Sequence, residues 1–382
     1  MPNQPVQRVT RAVTAFGDSL LAIALPLLLL SVACCSPTLV PGESESPLTD
    51  QESLSGERTS VAFYNLENLF DTDDDPSNAG DDEYLPQAQR SWTVERYLDK
   101  LTNLSSVIAH LGGEADPSGP ALLGVCEVEN QKVLDDLARQ PVLAAANYQV
   151  VHRESPDYRG IDCALLYRPE FFQVLQVRQL ETALPLSDEG EVRTTRDVLY
   201  VKGLLQTDTV HVFVNHWPSR RGGEARSRPG RLAAARTNRV VIDSILSGHA
   251  QAQVIVMGDL NDDPINESVR SGLRSVERRD LSTTDELYNP MVSLYRQGEG
   301  TLGYRDRWNL FDQILVSPGL AHPDAPTEWT LQHVRVLRRP EMLQREGRYR
   351  GYPFRTYVGP DYLGGYSDHL PVYAILARSD AG

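Results

Sequence analysis

Residues 254–262 read Val-Ile-Val-Met-Gly-Asp-Leu-Asn-Asp, an apolar run that ends in a glycine and several polar side chains. A short apolar run bounded by glycine is typical of a buried strand. Alternate residues of a strand share a face, so Asp259 and Asn261 are expected to emerge together, with Gly258 permitting a sharp exit from the strand. The stretch therefore predicts a buried strand that delivers a carboxylate and an amide to its carboxyl end.

Comparable apolar runs lie on both sides of this stretch and alternate with amphipathic patterns. Apolar residues at three- and four-residue spacing predict a helix over 94–111, a short helix capped by Asn130, and a helix from about Pro229 to Leu246 with Gly248 after its end. This is a mixed α/β pattern, whose sheets need helices outside them. Strands are expected at residues 61–66, 121–125, 148–152, 162–167, 199–205, 210–215, 254–257, 312–316 and 370–376.

Two further motifs place acidic residues at the ends of predicted strands. Residues 64–68 read Tyr-Asn-Leu-Glu-Asn, where strand alternation puts Asn65 and Glu67 on one face. In residues 124–130 an apolar strand delivers Glu127 to its carboxyl end, the usual edge for active sites in α/β sheets. Carboxylate oxygens beside an amide suit Mg²⁺ or Mn²⁺. These motifs predict a magnesium site, with manganese as the alternative ion.

A fourth motif, residues 214–223, reads Val-Asn-His-Trp-Pro-Ser-Arg-Arg-Gly-Gly. His216 supplies a hydrogen-bond donor after a buried strand, Arg220 and Arg221 supply permanent charge, and the paired glycines allow close approach of the backbone. Donors, charge and a small backbone together favour a phosphate group. We therefore assign Arg220 and Arg221 to substrate binding.

Taken singly, each motif has an ordinary structural explanation. A lone Asp-Leu-Asn is most often a turn, and Glu127 alone is a favourable charge ahead of a helix. A lone Asp-His pair lies more often on the surface or in the core than in a catalytic site. The functional interpretation rests on six motifs in one chain, each at the edge of an apolar strand. The last two are residues 308–314, which contain Asp312, and residues 365–371, which contain Asp368 and His369.

This ordered set resembles the endonuclease/exonuclease/phosphatase superfamily over residues 59–377. The matching stretches are NLEN, EVEN, NHWPSRRGG, GDLND, FDQILVS and SDHLP, and RGIDCALLY at residues 159–167 is similar to the exported bacterial branch. The resemblance implies the deoxyribonuclease-I-like α/β fold, a four-layer sandwich of two packed mixed β-sheets flanked by helices. It also implies Mg²⁺-dependent hydrolysis of phosphate esters.

The resemblance implies a role for each acidic motif residue. Glu127 is expected to be the main metal ligand, with Asn65, Glu67 and Asp368 near the metal or its waters. Arg159, in the motif at residues 159–167, is expected to bind substrate. Together with a divalent ion these residues neutralise the charge of a phosphate, which is the main demand of phosphoryl transfer.

The resemblance also implies catalytic roles for five residues. Asp259 is expected to orient or deprotonate the attacking water, and Asn261 to position it. His369 is expected to contact the phosphate or transfer a proton, held by Asp312 as a histidine is held in a triad. His216 stands where the deoxyribonuclease branch carries a second phosphate-facing histidine and abasic-site enzymes carry a tyrosine, which argues against abasic-site repair.

The net charge of −15 is unevenly distributed along the chain. Residues 43–83 contain thirteen acidic residues and one arginine, which leaves the rest of the chain near neutral. Residues 215–239 hold seven arginines and one acid, and residues 335–355 hold seven arginines and two acids. We assign the first cluster to function because it adjoins the His216 motif; for the second, a substrate-binding and a purely structural interpretation stay open. Such a surface permits salt-sensitive binding of a nucleic-acid backbone.

The N-terminus is interpreted as an export signal. Residues 1–35 contain two arginines ahead of an apolar run that is short for a membrane span, and a small residue precedes Cys34, the candidate site of lipidation and hence of a membrane anchor. Residues 36–57 are interpreted as a disordered linker and residues 58–378 as the catalytic domain. The expected location is periplasmic or extracellular. Cys126 and Cys163 are expected to be buried free thiols, with a disulfide as the alternative.

Three functions remain open at this point. The first is an exported endonuclease with nucleic acid as its substrate. The second is a phosphatase or phospholipase C-like hydrolase of small or lipid phosphate esters, and the third is an inactive surface binding module. Fold resemblance cannot choose among substrates, because the loops that select them vary. The sequence indicates no protein partner, and a monomer is expected.

Overall fold

The structure is a computed structural model that describes residues 56–379 apart from 114, 187–189, 282, 284 and 323–327. The interpreted signal peptide, Cys34 and most of the interpreted linker lie outside the described residues, so these stay predictions. The last two linker residues, Gly56 and Glu57, belong to the first strand. Within the described residues no helix is long and apolar enough to cross a membrane.

The helices and strands of the described residues follow one another as the sequence pattern predicts, with additions noted below. The α-helices are α1 Val94–Ile108, α2 Gln131–Ala138, α3 Glu224–Gly248, α4 Met291–Arg296 and α5 Pro318–Ala321. The strands are β1 Gly56–Leu69, β2 Leu122–Val128, β3 Gln149–His152, β4 Asp162–Tyr167, β5 Phe172–Leu180, β6 Val198–Leu205, β7 Asp208–His216, β8 Gln253–Asp259, β9 Ser275–Val276, β10 Leu287–Tyr288, β11 Leu302–Tyr304, β12 Arg307–Asn309, β13 Asp312–Val316, β14 Thr330–Val336, β15 Tyr357–Val358, β16 Asp361–Tyr362 and β17 Val372–Ser379.

Two large mixed sheets form the centre of the molecule. The first has the strand order β14-β17-β1-β2-β4-β3, in which β1 runs parallel to β2 and antiparallel to β17. The second has the order β5-β6-β7-β8-β13-β10-β9, in which β7 and β8 are parallel and β13 is antiparallel to β8. Two small hairpins, β11-β12 and β15-β16, stand apart from the large sheets.

Strand alternation distributes the apolar side chains over three buried layers. In β1, Val61 packs between the two sheets, whereas its neighbour Ala62 packs in the cluster formed with α1 and α2. In β8, Ile255 packs between the sheets and Val256 packs against α3. Each fully buried aliphatic side chain stabilises the fold by roughly 1.5–3 kcal/mol. The layers run helix, sheet, sheet, helix, which confirms the predicted four-layer sandwich.

Edge strands account for the main omissions of the sequence pattern. Neither β5 nor β14 was predicted, and each lies at the edge of its sheet with many exposed side chains. An edge strand with a solvated face has no continuous apolar run to identify it. Helix α2 is confirmed, since the Asn130 side chain accepts a hydrogen bond from the Val133 amide.

Helix α3 differs from its prediction at both ends. It begins at Glu224, so Pro229 lies inside it, and it includes Gly248. Proline removes one main-chain hydrogen bond near the start of the helix. The buried Arg231 side chain adds hydrogen bonds in the first turn, to the Glu224 carbonyl and the Ser227 hydroxyl.

Cys126 and Cys163 face each other between neighbouring strands. They are register partners in the antiparallel pair of β2 and β4, and both are buried free thiols. Both side chains belong to the apolar cluster between the two sheets. The expectation of buried free thiols in the core is therefore confirmed.

Candidate active site

Three predicted catalytic residues form a row across the second sheet. His216 at the end of β7 and Asp312 at the start of β13 are the two register partners of Asp259 at the end of β8. Residues opposite one another in adjacent strands project to the same face of a sheet. Pairing of the strands therefore brings together three side chains that are far apart in sequence.

The first sheet contributes a backbone irregularity at the ends of β1 and β2. The pairing of these strands shifts register between Asn65 and Leu69, and Glu67, Asn68 and Glu127 have φ values of 50°, 53° and 59°. Left-handed backbone at such residues costs of order 1–3 kcal/mol and is found at functional sites, where bulges redirect side chains. The bent segment is held by the Asn68 amide, which donates to Glu127 Oε2 at 3.1 Å.

This irregularity corrects the predicted shared face of Asn65 and Glu67. Asn65 Nδ2 donates to Asp259 Oδ2 at 3.1 Å, a hydrogen bond between the two sheets. Glu67 instead accepts from Arg355 Nε at 3.0 Å and from the Thr356 amide at 2.7 Å. Simple strand alternation does not extend through a left-handed residue, so the two side chains have different partners.

His369 is paired with Asp312 as the resemblance implied. Its Nδ1 lies 2.7 Å from Asp312 Oδ2, and both residues are buried. Burial disfavours the charged imidazolium, but the carboxylates of Asp312 and Asp259 outweigh it and raise the pKa of His369 well above the ordinary value. His369 is therefore protonated at neutral pH, with Nε2 available to donate a proton.

His216 lies in the opposite electrostatic environment. Burial, followed by the charges of Arg196, Arg159 and His369, lowers the pKa of His216 well below the ordinary value. Its Nδ1 has no hydrogen-bond partner within the described residues. His216 is therefore a neutral imidazole.

Asp259 lies between the two histidines. Its Oδ2 is 3.7 Å from His216 Nε2 and 3.8 Å from His369 Nε2, and its Oδ1 accepts from the Asn261 amide at 2.9 Å. Burial is the main cause that raises the pKa of Asp259 to about 7, while the charge of His369 acts against it. A carboxylate with this pKa is matched to proton abstraction near neutral pH.

Glu127 completes the centre of the site. Its Oε1 lies 3.7 Å from His216 Nε2 and 3.9 Å from Arg159 Nη1, while its Oε2 accepts from the Asn68 amide at 3.1 Å. Glu127 and Asp368 retain side-chain exposures of 13% and 23%, whereas Glu67 is 5% exposed and both of its oxygens accept from protein donors.

This donor set fits a hard divalent cation. Mg²⁺ prefers carboxylate and carbonyl oxygens and keeps several of its waters. Glu127 and Asp368, which are partly exposed, would hold the ion, whereas the Asn65 side chain donates to Asp259 and accepts from the Glu67 amide. Glu67 would not ligate the ion directly, because its two oxygens accept hydrogen bonds from Arg355 and the Thr356 amide. A separate triplet of Asp259, Asp312 and His369 has ligand atoms within 4.8 Å of one another, but the Asp312 carboxylate and the His369 imidazole are already paired with each other.

Arg355 is a site residue that the sequence analysis did not single out. Its guanidinium bridges Glu67 Oε1 at 3.0 Å and Asp368 Oδ2 at 2.9 Å, so it joins two predicted metal-site carboxylates. Burial acts to raise the pKa of Asp368, but the charges of Arg355, His369 and Lys100 outweigh it and lower that pKa. Arg355 belongs to the second arginine cluster, and clustering was the only sequence signal for it.

Lys100 lies beside this bridge, and no sequence motif indicated it. Its fully buried Nζ donates to Thr356 Oγ1 and to the Tyr366 carbonyl, 3.8 Å from Glu67 Oε2. Burial lowers the pKa of Lys100 to about 8, against the raising effect of Glu67. In the sequence it is one lysine of an amphipathic helix, and only tertiary contacts with residues some 260 positions away identify its role.

The predicted substrate-binding arginines Arg220 and Arg221 have different hydrogen-bond partners and different exposure. Arg220 donates to the Asn261 carbonyl and pairs with Asp262 and Asp263, at 3.0 and 3.4 Å. Arg221 is exposed and donates to the Tyr158 hydroxyl at 3.0 Å. Local acids and carbonyls therefore occupy much of the Arg220 guanidinium. Substrate roles for Arg220, Arg221 and Arg159 stay predictions.

The side-chain amide of Asn261, which is expected to position the attacking water, donates a hydrogen bond to the protein backbone. Asn261 has a φ of 50° that turns the chain at the end of β8, and its Nδ2 donates to the Trp217 carbonyl at 3.0 Å. The same carbonyl accepts from Arg196 Nη2, whose Nη1 pairs with Asp157 at 2.8 Å. Asn261 and Arg196 therefore brace the loop after His216. Arg196 lies in a loop without a distinctive sequence pattern, so its role could not be predicted from the motifs.

Comparisons with known proteins support the fold and the family. The family model described as "Endonuclease/Exonuclease/phosphatase family" matches residues 60–378. The human Nocturnin catalytic domain, solved with a bound sulfate anion, is 16% identical with a TM-score of 0.50, covering 84% of this chain and 95% of that one. This likeness shows the shared fold.

Two other solved structures are similar at lower scores. Humanized TDP2 of D. rerio is 15% identical with a TM-score of 0.49, covering 84% of this chain and 98% of that one. An endonuclease/exonuclease/phosphatase family protein of Bacteroides thetaiotaomicron is 16% identical with a TM-score of 0.48, covering 86% of this chain and all of that one. No curated protein matches the sequence.

Proposed function

We propose that this chain, which belongs to the endonuclease/exonuclease/phosphatase family, is a Mg²⁺-dependent phosphodiesterase that cuts nucleic-acid strands outside the cytoplasm. Members of the family hydrolyse phosphoester bonds. The observation that carries the proposal is the meeting of a buried Asp259 with the His369–Asp312 pair beside carboxylates suited to a divalent cation.

The proposed chemistry divides between Asp259 and His369. Asp259, with a pKa of about 7, accepts the proton of the attacking water. His369, kept protonated by Asp312, donates to the leaving oxygen from Nε2. In-line displacement requires the base beside the attacking water and the acid beside the leaving oxygen, on opposite sides of the phosphate.

Positive charge for the phosphate comes from a histidine that the sequence indicated and an arginine that it did not. His369 and Arg355 are the cations at the centre; Arg355 is paired with carboxylates as Arg220 is, but its partners Glu67 and Asp368 belong to the site itself, and His216 is neutral. A bound Mg²⁺ would supply further charge neutralisation at the phosphate oxygens. His216 contributes a neutral ring near Glu127 and Asp259, where it orients water or a phosphate oxygen.

Export and a membrane anchor at Cys34 belong to the same proposal. They are supported by the arginines, the apolar run and the small residue before Cys34 in the N-terminal sequence. Mass spectrometry of the protein isolated from its natural host tests them. A mature N-terminus at Cys34 with a lipid adduct is expected, whereas an intact Met1 in the cytoplasm would exclude export.

The enzymatic proposal is tested by hydrolysis with the purified full-length chain. Plasmid DNA, RNA, bis-p-nitrophenyl phosphate and a phosphoinositide are each incubated with Mg²⁺, Mn²⁺ or EDTA. His369→Ala is the inactivating variant, and His333→Ala is its matched control because His333 is exposed on edge strand β14.

Metal-dependent cleavage of RNA or plasmid DNA that His369→Ala abolishes and His333→Ala retains is the expected result. Activity confined to the small or lipid esters would instead favour a phosphatase or phospholipase C-like enzyme. Lack of activity on every substrate would favour an inactive binding module.

A further inference from the structure

A cavity of about 410 Å³ opens directly beside the candidate active site. Glu67, Asp368 and Arg355 form its floor, so any ligand in it lies next to the reacting centre. Ligand sites in proteins typically have volumes of roughly 300–1,000 Å³. The remaining walls come from the β11–β12 hairpin and from two loops, at residues 84–92 and 344–363.

The inner wall of this cavity is a packed set of aromatic rings. Tyr84 and Trp92 meet edge to face at 6.3 Å, and Trp92 contacts Tyr357 at 6.1 Å. All three rings are nearly buried, and Arg90 lies over two of them while it pairs with Glu83. The inner wall is therefore a fixed apolar surface.

The outer wall is also aromatic, but its rings face solvent. Tyr304 is 58% exposed and Tyr349 is 43% exposed, while Tyr352 joins Tyr349 to Trp308 with ring centroids about 6 Å apart on either side. Exposed tyrosines at a cavity mouth offer large rigid contact area with few torsions to order on binding. Each ring can offer a planar group the face that its neighbouring arginine does not cover.

The hairpin that carries Tyr304 is held in place. Its two turn residues, Arg305 and Asp306, have φ values of 48° and 60°, as a tight two-residue hairpin turn requires. Tyr352 Oη accepts from the Asp306 amide at 2.6 Å, and a Cβ built at Gly303 would lie 2.8 Å from the Tyr352 ring. Close contact between the hairpin and Tyr352 therefore fixes the width of the mouth.

Two cations at the mouth have no acidic partner. Arg305 and Arg348 line the cavity, and within the described residues neither makes an ion pair; each lies over a tyrosine of the outer wall. Arginines near aromatic rings bind phosphates and stack on planar groups. The cavity therefore offers aromatic rings that can stack on a base and arginines that can bind phosphates. Both lie next to Glu67, Asp368 and Arg355 of the candidate active site.

We infer that this cavity receives an unpaired base, adjacent to the scissile phosphate, of a single-stranded or frayed nucleic acid. The inference rests on the proposed function. A base can stack on protein aromatics only after it leaves the duplex, since its faces are covered inside the helix. Tyr304 and Tyr349 stack on the base, and Arg305 and Arg348 contact the flanking phosphates. The enzyme is then selective for strand ends, loops and single strands over intact duplex.

The second arginine cluster divides accordingly. Arg348 and Arg355 line the cavity, whereas Arg335 is exposed on edge strand β14 and Arg339 pairs with Glu341. Arg335 is therefore a matched control for Arg348, with the same charge and cluster but outside the cavity. Tyr349→Phe is the conservative companion of Tyr349→Ala, because it keeps the ring and removes only the hydroxyl.

Binding and cleavage are measured separately. Fluorescence anisotropy with EDTA present records the affinity for three labelled dodecamers: a single strand, the same strand paired with its complement, and a strand in which every base is replaced by an abasic spacer. The abasic strand keeps the phosphates and loses the stacking faces. Tyr304→Ala, Tyr349→Ala, Tyr349→Phe, Arg348→Ala and Arg335→Ala are compared with the unaltered protein.

The single strand should bind about tenfold or more tightly than both the duplex and the abasic strand, because base–aromatic stacking is worth roughly 1–3 kcal/mol per base. Tyr349→Ala and Tyr304→Ala should remove most of that preference, and Tyr349→Phe should keep it. Arg348→Ala should weaken binding of all three probes, whereas Arg335→Ala should not.

Equal affinity for the base-bearing and abasic strands would overturn the inference, as would preferential binding to duplex. Binding only to phosphoinositide vesicles would overturn it in favour of a lipid headgroup. If the single strand binds as expected but is not hydrolysed with Mg²⁺, the proposed enzymatic function fails and the base-binding site stands.

Discussion

At the residue scale, the environment of each titratable group decides its task. His216 and His369 contact the same carboxylate, Asp259, at nearly equal distances. Asp312 raises the pKa of His369, whereas burial among cations lowers the pKa of His216, so one imidazole is charged and the other neutral. Sequence motifs identify both residues and cannot distinguish these states, because the charges responsible lie on other segments.

The pH dependence of the reaction follows from Asp259. Its pKa is raised to about 7, mainly by burial, and only the deprotonated carboxylate can accept a proton from water. Below that pKa, kcat/KM should fall about tenfold per pH unit, and Asp259→Asn should cost roughly 10²–10⁴-fold at pH 8. A pH–rate profile with bis-p-nitrophenyl phosphate measures both. A rate that stays constant down to pH 5 would exclude Asp259 as the base.

The pairing of His369 with Asp312 predicts a linked spectroscopic and kinetic change. Asp312→Asn removes the carboxylate that raises the pKa of His369, so that pKa should fall. A general acid contributes roughly 10²–10⁴-fold to the rate, and kcat should drop within this range with little change in KM. NMR titration of the His369 ring checks the pKa. An unchanged titration would show that Asp312 does not control the proton.

At the element scale, close strand packing places the site. β7 and β8 run parallel, and Gly258 lies inside β8 rather than at its exit as the sequence analysis expected. A Cβ at Gly258 would lie 2.3 Å from the Asn215 carbonyl oxygen. Glycine is needed there because the neighbouring backbone occupies the space, and this contact keeps His216 in register with Asp259.

Gly258→Ala should therefore destabilise the protein by about 1–3 kcal/mol, the usual cost of overpacking. Gly248→Ala is the matched control, because it lies at the end of α3 with nothing within 4 Å of an added Cβ. It should be neutral or slightly stabilising, since alanine is favoured over glycine in a helix. Urea unfolding of the two variants provides the comparison. Equal stability would show that β7 and β8 can separate freely.

At the scale of the whole molecule, the site lies where the two sheets meet. Asn65 of the first sheet bonds Asp259 of the second, and Asp312 of the second sheet holds His369, which precedes β17 of the first. The carboxylates of Glu67, Glu127, Asp259 and Asp368 are gathered there. Such a concentration of negative charge opposes folding unless cations offset it.

A divalent cation should accordingly stabilise the fold. Mg²⁺ at a hundred times its Kd would add about 2.7 kcal/mol to the free energy of unfolding. Thermal unfolding with Mg²⁺ and with EDTA should show a higher Tm with the metal. Glu127→Gln should abolish that difference, while Glu346→Gln, at an exposed loop position, should retain it. The same Tm shift in Glu127→Gln would place the metal elsewhere.

The sequence by itself determined the layered α/β fold and most of the site. Continuous apolar runs mark the central strands, because those strands are buried on both faces, and the motif residues lie at their ends. Edge strands β5 and β14 could not be predicted in this way, because many of their side chains are exposed to solvent and neither has a continuous apolar run.

Tertiary structure alone decided which residues carry charge and where substrate is expected. Arg355 and Lys100 reach Glu67 from other segments of the chain, and Arg220 pairs with the nearby acids Asp262 and Asp263. The aromatic cavity likewise joins three loops that have no common pattern. Local sequence encodes strand and helix periodicity, whereas electrostatic state and cavity shape depend on contacts between segments that only folding brings together.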